Sequence, residues 1–128
     1  MSLEFLVQWI ILEFGKKILI KENSSLLEAI LKLNNTGTRC LFVVEKRKRF
    51  KGILTDGDIK RIMNTYKNTD EILIKKVMTR KPLQVSSDIL AAEALSVLEK
   101  NNITVLPVID KSVIKGIITM QDIIKSIN

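Results

Sequence analysis

The strongest constraint on the fold of this chain is an internal repeat, because the sequence matches itself at a nearly fixed shift. Residues 51–59 match residues 115–123 at a shift of 64, with six identities in nine positions. Ahead of them, the apolar pattern matches at a shift of 65. The one-residue difference falls in the basic stretch 46–51, where a turn tolerates extra length. The sequence therefore predicts two copies of one structural unit.

Both halves show the same succession of apolar periodicities: strand, helix, strand, strand and helix. A unit this small cannot cover both faces of its own sheet, so the two units are expected to pack together around a cleft. We therefore predict an α/β (α+β) fold, a tandem of β-α-β-β-α repeats packed with pseudo-two-fold symmetry. The predicted elements are strands 18–20, 39–44 and 50–54 with helices 24–36 and 56–66 in the first repeat, and strands 83–85, 104–109 and 113–118 with helices 88–100 and 121–127 in the second.

Several helix ends have recognisable signals. Ser25 and Glu28 predict a capping box at the start of the first helix, and Gly37 predicts a left-handed turn at its end. At the equivalent end in the second repeat, Asn101-Asn102 takes the place of glycine, because Asn also tolerates a positive φ. Between the repeats, residues 70–78 predict a short amphipathic linker helix.

These signals divide the chain into residues 1–15, an N-terminal helix or linker, residues 16–68, the first domain, and residues 69–128, the linker helix with the second domain. The opening predicts a short helix over 4–14, and its first three residues are also compatible with a vector-derived start. Its apolar run is too short to span a bilayer and has no basic residues ahead of it, as a signal peptide would. We therefore expect a cytoplasmic protein that does not enter the membrane.

The composition excludes several kinds of active site. The 128 residues include no His and a single Cys. A serine-type triad, an imidazole general base and most zinc sites need His, and a disulfide framework needs more than one Cys. We therefore expect no catalytic residues, no metal site and no enzyme activity of the chain itself.

The net charge of +7 indicates an anionic partner, and the densest basic run is 46–51. Proteins that bind single-stranded nucleic acid interleave stacking aromatic residues with the cations. Here only Phe50 is available, and its place at the start of a strand favours packing in the core. Nucleic-acid binding through this run is therefore an alternative and not the leading hypothesis.

Matched motifs of the form Gly-h-h-Thr-x-x-Asp, where h is apolar, end a strand and begin a helix in each repeat. Thr-x-x-Asp is a helix cap in its own right, and this is the simpler interpretation. The same geometry also suits a ribonucleotide, because a helix start and a hydroxyl bind phosphate while a carboxylate accepts hydrogen bonds from a sugar diol. A cation follows each Asp one helical turn later. The candidate residues are Thr55, Asp58 and Arg61 in the first repeat, with Thr119, Asp122 and Lys125 in the second.

With this motif in both halves of a tandem repeat, residues 16–127 resemble a pair of CBS domains, named after cystathionine β-synthase. Further similar segments are Val77-Met78-Thr79 ahead of the second copy and 103–110 within it. The first copy lacks such a Met-Thr motif and has Phe42 where the second has Pro107. The resemblance implies a regulatory module that binds an adenosine nucleotide (AMP, ADP or ATP) or S-adenosylmethionine in the cleft, with no other cofactor required.

The resemblance also implies roles for individual residues. The two Thr residues of the motifs would contact phosphate, and the two Asp residues would contact the ribose hydroxyls. Members of this family associate into flat dimers, so a homodimer is expected. The residues that would line the base are Lys17, Ile18, Thr38, Lys81, Pro82, Leu83, Ile103, Thr104 and Val105.

A narrower resemblance concerns residues 55–61, which are similar to CBS copies attached to two bacterial enzymes, a sugar-phosphate nucleotidyltransferase and arabinose-5-phosphate isomerase. The sequence does not separate the two, and neither catalytic domain is present in these residues. This narrower resemblance implies that the chain controls an attached catalytic domain of a longer parent protein. The alternatives are a structural dimerisation module without a ligand and a nucleic-acid binder that uses the basic run.

Overall fold

A computed structural model of the chain describes residues 18–37, 39–47 and 49–127. The predicted N-terminal helix and two predicted site residues, Lys17 and Thr38, lie outside these ranges. The described residues combine five α-helices with two sheets, so the predicted mixed α+β class is confirmed. Those up to Pro82 form one compact unit and those from Leu83 onward form another. The division into domains at residues 15 and 68 stays a prediction.

The first repeat has the predicted order of elements around a three-stranded sheet of order β1-β2-β3. Strand β1 pairs in parallel with β2, and β2 pairs antiparallel with β3. The parallel pair is possible because a helix connects its two strands. The elements are β1 (Leu19–Lys21), α1 (Leu26–Thr36), β2 (Cys40–Val44), β3 (Phe50–Thr55) and α2 (Asp56–Thr65).

The core of the first unit lies between the sheet and one face of its helices. All five residues of β2, the central strand of the sheet, are buried. Helix α1 buries Leu26, Ala29 and Leu33 at helical spacing, and α2 buries Ile59 and Ile62. The predicted apolar faces of these two helices are thus the faces that pack.

The ends of α1 follow their local signals only in part. The Ser25 hydroxyl accepts a hydrogen bond from the Glu28 N–H at 3.2 Å, and Gly37 ends the helix with φ 68°. The predicted capping box at Ser25 is wrong, however, because the exposed Glu28 carboxylate does not return a bond among the described residues. The start of α1 is instead completed by a main-chain bond, from the Leu26 N–H to the Ile72 carbonyl at 2.7 Å.

The bond from the Leu26 N–H to the Ile72 carbonyl also explains why residues 70–78 do not form one helix. Residues Thr69–Glu71 form a 3-10 turn, and α3 (Ile74–Val77) follows after a break. At the break, the Ile74 N–H donates to the Ser24 carbonyl at 2.9 Å, so the main chain of this segment pairs with the start of α1. The predicted continuous helix over 70–78 is therefore wrong, since tertiary pairing uses the backbone groups that a helix would need.

The second repeat keeps the order of elements but has a smaller sheet. Its elements are α4 (Ala91–Lys100), β4 (Val105–Asp110), β5 (Val113–Thr119) and α5 (Met120–Ile127), with β4 and β5 antiparallel. Asn102, just after α4, has φ 51°, which confirms the left-handed turn predicted there.

The predicted strand over 83–85 is wrong, since only one parallel bridge, between Val85 and Val108, is formed there. The Val85 N–H donates to the Pro107 carbonyl at 3.0 Å, and the Ile109 N–H donates to the Val85 carbonyl at 2.9 Å. The next ladder bond would need an N–H from Pro107, which proline lacks. In the first repeat, Phe42 occupies this position and pairs with Leu19 in β1.

Candidate functional site

Each Gly-h-h-Thr-x-x-Asp motif forms a reciprocal cap at the start of a helix. In the first repeat, the Asp58 N–H donates to the Thr55 hydroxyl and the Thr55 N–H donates to the Asp58 carboxylate, both at 3.0 Å. In the second, the Asp122 N–H donates to the Thr119 hydroxyl at 3.1 Å and the Thr119 N–H donates to the Asp122 carboxylate at 3.0 Å. The cap interpretation is therefore confirmed in both repeats. Each cap leaves the Thr O–H free to donate, because the hydroxyl is used there only as an acceptor.

A second bond fixes the neighbouring strand against each helix start. The Met120 N–H donates to the Thr104 carbonyl at 3.1 Å, and the Asp56 N–H donates to the Arg39 carbonyl at the same distance. Val105 then pairs with Thr119 across the β4–β5 ladder. The second repeat thus brings four predicted site residues together: Thr104, Val105, Thr119 and Asp122.

The two Asp side chains differ in what surrounds them. Asp58 is 8% exposed, and its Oδ1 pairs with the Arg61 guanidinium at 3.2 Å. The Thr79 hydroxyl donates to its other oxygen at 3.5 Å. Asp122 is half-buried, and no ion pair joins it to the exposed Lys125 in the part of the chain that the structure describes. Arg61 therefore pairs with the Asp of its own motif, whereas Lys125 does not; the ligand-binding roles of both cations stay predictions.

The first turns of α2 and α5 also differ. In α2, Asp56 accepts a hydrogen bond from the Gly57 N–H at 2.9 Å, so every N–H from Thr55 to Asp58 has an acceptor within the chain. The equivalent residues of α5 are Met120 and Gln121. Among the described residues, no side chain accepts a hydrogen bond from the main-chain N–H of Gln121. A helix start with a free N–H can bind an anion, whereas at one closed by a carboxylate the anion has to displace that carboxylate or lie beside its charge.

Thr79 is a residue of this site that the sequence did not indicate. The sequence predicts that the Met-Thr motif at 78–79 opens the second repeat, yet Thr79 pairs with the first. Its carbonyl accepts from the Ile53 N–H at 3.0 Å and its N–H donates to the Ile53 carbonyl at 2.9 Å. This close approach requires Gly52, because a Cβ there would lie 2.4 Å from the Thr79 carbonyl oxygen.

The residues predicted to line a base have varied surroundings. Ile18 is 2% exposed and lies in the core, and Ile103 is half-buried beside the end of α4. At the other segment, Lys81 is exposed, Pro82 is half-buried and Leu83 is 50% exposed, which is high for a large apolar side chain. The base-lining roles of these residues stay predictions.

Cys40 lies on β2 beside the first motif and offers no reactive thiol. Burial raises the pKa of Cys40 from 9.0 to about 12, with smaller contributions from the negative charges of Asp58 and Asp56. A thiol that remains protonated at neutral pH is a poor nucleophile. Within the described residues, moreover, no cluster of three or more His, Cys, Asp or Glu side chains is arranged to hold a metal ion. The same part of the chain contains no helix long and apolar enough to cross a membrane.

Comparison with known families gives a match over most of the chain. The family model described as "CBS domain" matches residues 16–65 and 74–128. The first of these ranges contains Thr55 and Asp58, and the second contains Thr119 and Asp122.

Among curated proteins, the chain is 36% identical over 118 residues to an uncharacterized protein of Rickettsia prowazekii, covering 89% of this chain and 35% of that protein. It is 35% identical over 117 residues to the arabinose 5-phosphate isomerase KdsD of Francisella tularensis, covering 90% of this chain and 36% of the isomerase. The chain therefore spans about a third of the length of these relatives.

Solved structures have the same fold. The CBS domain pair of protein MJ0100, in complex with 5′-methylthioadenosine and S-adenosyl-L-methionine, superposes with a TM-score of 0.84 at 27% identity, covering 97% of this chain and 100% of that one. The protein CBSX2, in complex with AMP, superposes with a TM-score of 0.81 at 21% identity, covering 96% of each chain.

Proposed function

Because the chain belongs to the CBS domain family, we propose that it is a regulatory module that binds an adenosine nucleotide. The observation that carries the proposal is the matched pair of helix caps, in which a Thr hydroxyl and an Asp carboxylate lie together at a strand end in both repeats. The solved pair with adenosine-based ligands supports this class of ligand, and the complex of CBSX2 supports AMP in particular.

In the second repeat, the Thr119 hydroxyl donates to the phosphate, and the Asp122 carboxylate accepts from the ribose hydroxyls. These roles fit the chemistry of the groups, since a hydroxyl can donate to phosphate while an ionised carboxylate only accepts. Thr55 and Asp58, with Arg61, have the same roles in the first repeat, and Lys125 adds positive charge in the second. The base lies against the segments 81–83 and 103–105, with Ile18, Lys17 and Thr38 serving the first repeat.

The module controls a catalytic domain elsewhere in a longer protein. The relative from Francisella tularensis supports a sugar-phosphate isomerase, because the matched region is only part of that enzyme. It favours this parent over a nucleotidyltransferase, the second candidate from the sequence. A cytoplasmic location agrees with a single buried Cys that has no disulfide partner.

We also propose that the chain forms a homodimer. Leu27 and Leu31 lie one turn apart on α1 with exposures of 42% and 53%. Large apolar side chains exposed in this way are typical of a surface that another protein covers. The measurement that tests this part is the mass in solution, by sedimentation or light scattering, of the wild type and of Leu31→Glu, which should be a monomer.

Nucleotide binding is tested by thermal unfolding in the presence of AMP, ADP, ATP or S-adenosylmethionine. A ligand at a hundred times its dissociation constant should stabilise the protein by about 2.7 kcal/mol. Asp122→Asn should lose much of this stabilisation, whereas Glu99→Gln, a matched change at an exposed residue of α4, should keep it. If no adenosine ligand stabilises the wild type, the module is structural. Tight, salt-sensitive binding of nucleic acid that requires Lys46 and Arg47 would favour the basic run instead.

A further inference from the structure

The two repeats form the same cap, but one residue places a negative charge where the other has none. At the first position of α2, the Asp56 carboxylate accepts from the Gly57 N–H at 2.9 Å and is exposed to solvent. The first position of α5 is Met120, which has no carboxylate, and no side chain among the described residues accepts from the next N–H, that of Gln121. The reciprocal Thr–Asp bonds and the bond from the first helical N–H to the neighbouring strand are matched in the two repeats.

This difference affects how each helix start would bind the phosphate group of a nucleotide. A helix start attracts anions through its free N–H groups and its dipole. In α2 a carboxylate already uses one of these groups, so an incoming phosphate has to displace it or lie beside it. Two unit charges of the same sign about 4 Å apart repel by about 1 kcal/mol even in a medium as polar as water, and phosphate carries more than one charge.

The carboxylate that would bind ribose also has more partners within the chain in the first repeat than in the second. One oxygen of Asp58 pairs with Arg61, and the other accepts from both Thr55 and Thr79. A ribose diol has to displace Arg61 from this nearly buried carboxylate. On Asp122, the cap uses one oxygen, and the other has no partner in the described part of the chain.

From these contacts we infer that the second repeat is the tighter nucleotide site, and that Asp56 is the residue that weakens the first repeat for ligands that carry phosphate. This inference rests on the proposed function and adds to it which repeat is occupied at low ligand concentration. The first site binds AMP at least about fivefold more weakly than the second, as one like-charge contact requires.

The test is calorimetric titration with AMP of the whole chain, checked for folding by circular dichroism. The wild type should show one tight site and a second site at least about fivefold weaker. Asp122→Asn should remove the tight site. Asp56→Met, which copies the second repeat, should tighten the weak site until the two are nearly equal, and Asp56→Asn should have a similar effect with almost no change in shape. Asp70→Asn, which removes an exposed charge elsewhere in the first unit, should leave both sites as in the wild type.

Several outcomes would overturn the inference and leave the proposed function intact. Two equal sites in the wild type would do so, as would a tight site that survives Asp122→Asn. A weak site that Asp56→Met does not tighten would exclude the role of Asp56. If neither the wild type nor any folded variant binds AMP or the other adenosine ligands, the proposed function fails and this inference fails with it. Unmodified adenosine provides a further check, since without phosphate its affinity should not change in Asp56→Asn.

Discussion

The two repeats form the same helix cap in different surroundings, and the comparison separates what the fold requires from what a ligand requires. The reciprocal bonds between Thr and Asp have nearly equal lengths in both repeats. Around them, Asp58 is buried and paired with Arg61 and Thr79, whereas Asp122 is half-buried and has no cation partner in the described part of the chain. The cap alone therefore cannot distinguish a binding site from a structural motif, and the surrounding groups can.

The sheets of the two repeats also differ, with three strands in the first repeat and two in the second. In the first repeat, Phe42 pairs with Leu19 in the parallel ladder with β1, while in the second Pro107 removes a donor and only Val85 forms a bridge. The first repeat thus has two further sets of main-chain contacts, from the strand β1 and from the segment at Thr79. The second repeat has a smaller sheet and the more accessible carboxylate.

The largest effect is expected at Gly52, where the first repeat touches Thr79. Gly52→Ala places a Cβ 2.4 Å from a main-chain oxygen, which forces the paired segments apart. Overpacking of this kind costs about 1 to 3 kcal/mol, and we expect the upper end because the obstacle is backbone. Urea denaturation measures the loss. Gly57→Ala is the matched control, since its Cβ would meet only the Thr55 hydroxyl at 3.7 Å, and it should be neutral or slightly stabilising. Equal losses in the two variants would contradict the contact.

The two cap residues should differ in their contribution to stability. Asp122→Ala removes one cap and should lower the free energy of unfolding by about 1 kcal/mol. Asp58→Ala removes the cap, breaks the pair with Arg61 and leaves the Thr79 hydroxyl without its acceptor, so it should cost about 2 to 3 kcal/mol. Chemical denaturation of both variants under the same conditions tests the difference. A larger loss for Asp122→Ala would show that Arg61 and Thr79 do not strengthen the contribution of Asp58 to stability.

A pH effect should be specific to the first repeat, because Cys40 corresponds to Val105 in the second. The pKa of Cys40 in the folded protein, about 12, is above the value of 9.0 to which it returns on unfolding. Below pH 9 the thiol is protonated in both states, so it adds no pH dependence. Between pH 9 and 12 only the unfolded state releases the proton, and stability falls by about 1.4 kcal/mol per pH unit.

Cys40→Val removes this contribution, so the stability difference between the variant and the wild type should shift in favour of the variant from pH 9 to pH 10. Denaturation curves at pH 8, 9 and 10 measure the shift. A difference that stays constant over this range would show that the thiol is not buried as described.

The smallest effect is expected from the cations one turn after each Asp. The Arg61 side chain is 64% exposed, and surface ion pairs contribute about 0.2 to 1 kcal/mol, reduced by salt. Arg61→Gln should therefore lower stability slightly at low ionic strength and hardly at all in concentrated salt. Lys125→Gln should change stability at neither ionic strength, because no pair is present. Thermal unfolding at two salt concentrations distinguishes the variants, and an equal response of both would contradict the difference between the repeats.

Local and repeated signals in the sequence predicted the fold well. The repeat, the helices α2 and α5 and their caps are encoded within short segments, so periodicity and the Thr-x-x-Asp spacing were sufficient. The errors arose where a distant residue decides the outcome. The strand at 83–85 fails because of Pro107, and the linker helix breaks because its backbone pairs with the start of α1.

The same distinction applies to the candidate site. The sequence identified both Thr-Asp pairs and the partner of Asp58, which lie within one turn of each other. It did not indicate that Thr79 contacts Asp58, because those residues are 21 positions apart and meet only in the folded chain. The two motifs also look equivalent in sequence, whereas the contact of the Asp56 carboxylate, which has no counterpart at Met120, distinguishes them.

Calorimetric titration of the wild type and of Asp122→Asn with AMP tests whether the chain binds adenosine nucleotides through these two motifs. We expect saturable binding to the wild type, with the tighter site lost in the variant while its fold and its unfolding transition are retained. Absence of heat with AMP, ADP, ATP and S-adenosylmethionine, or binding that Asp122→Asn leaves unchanged, would contradict it.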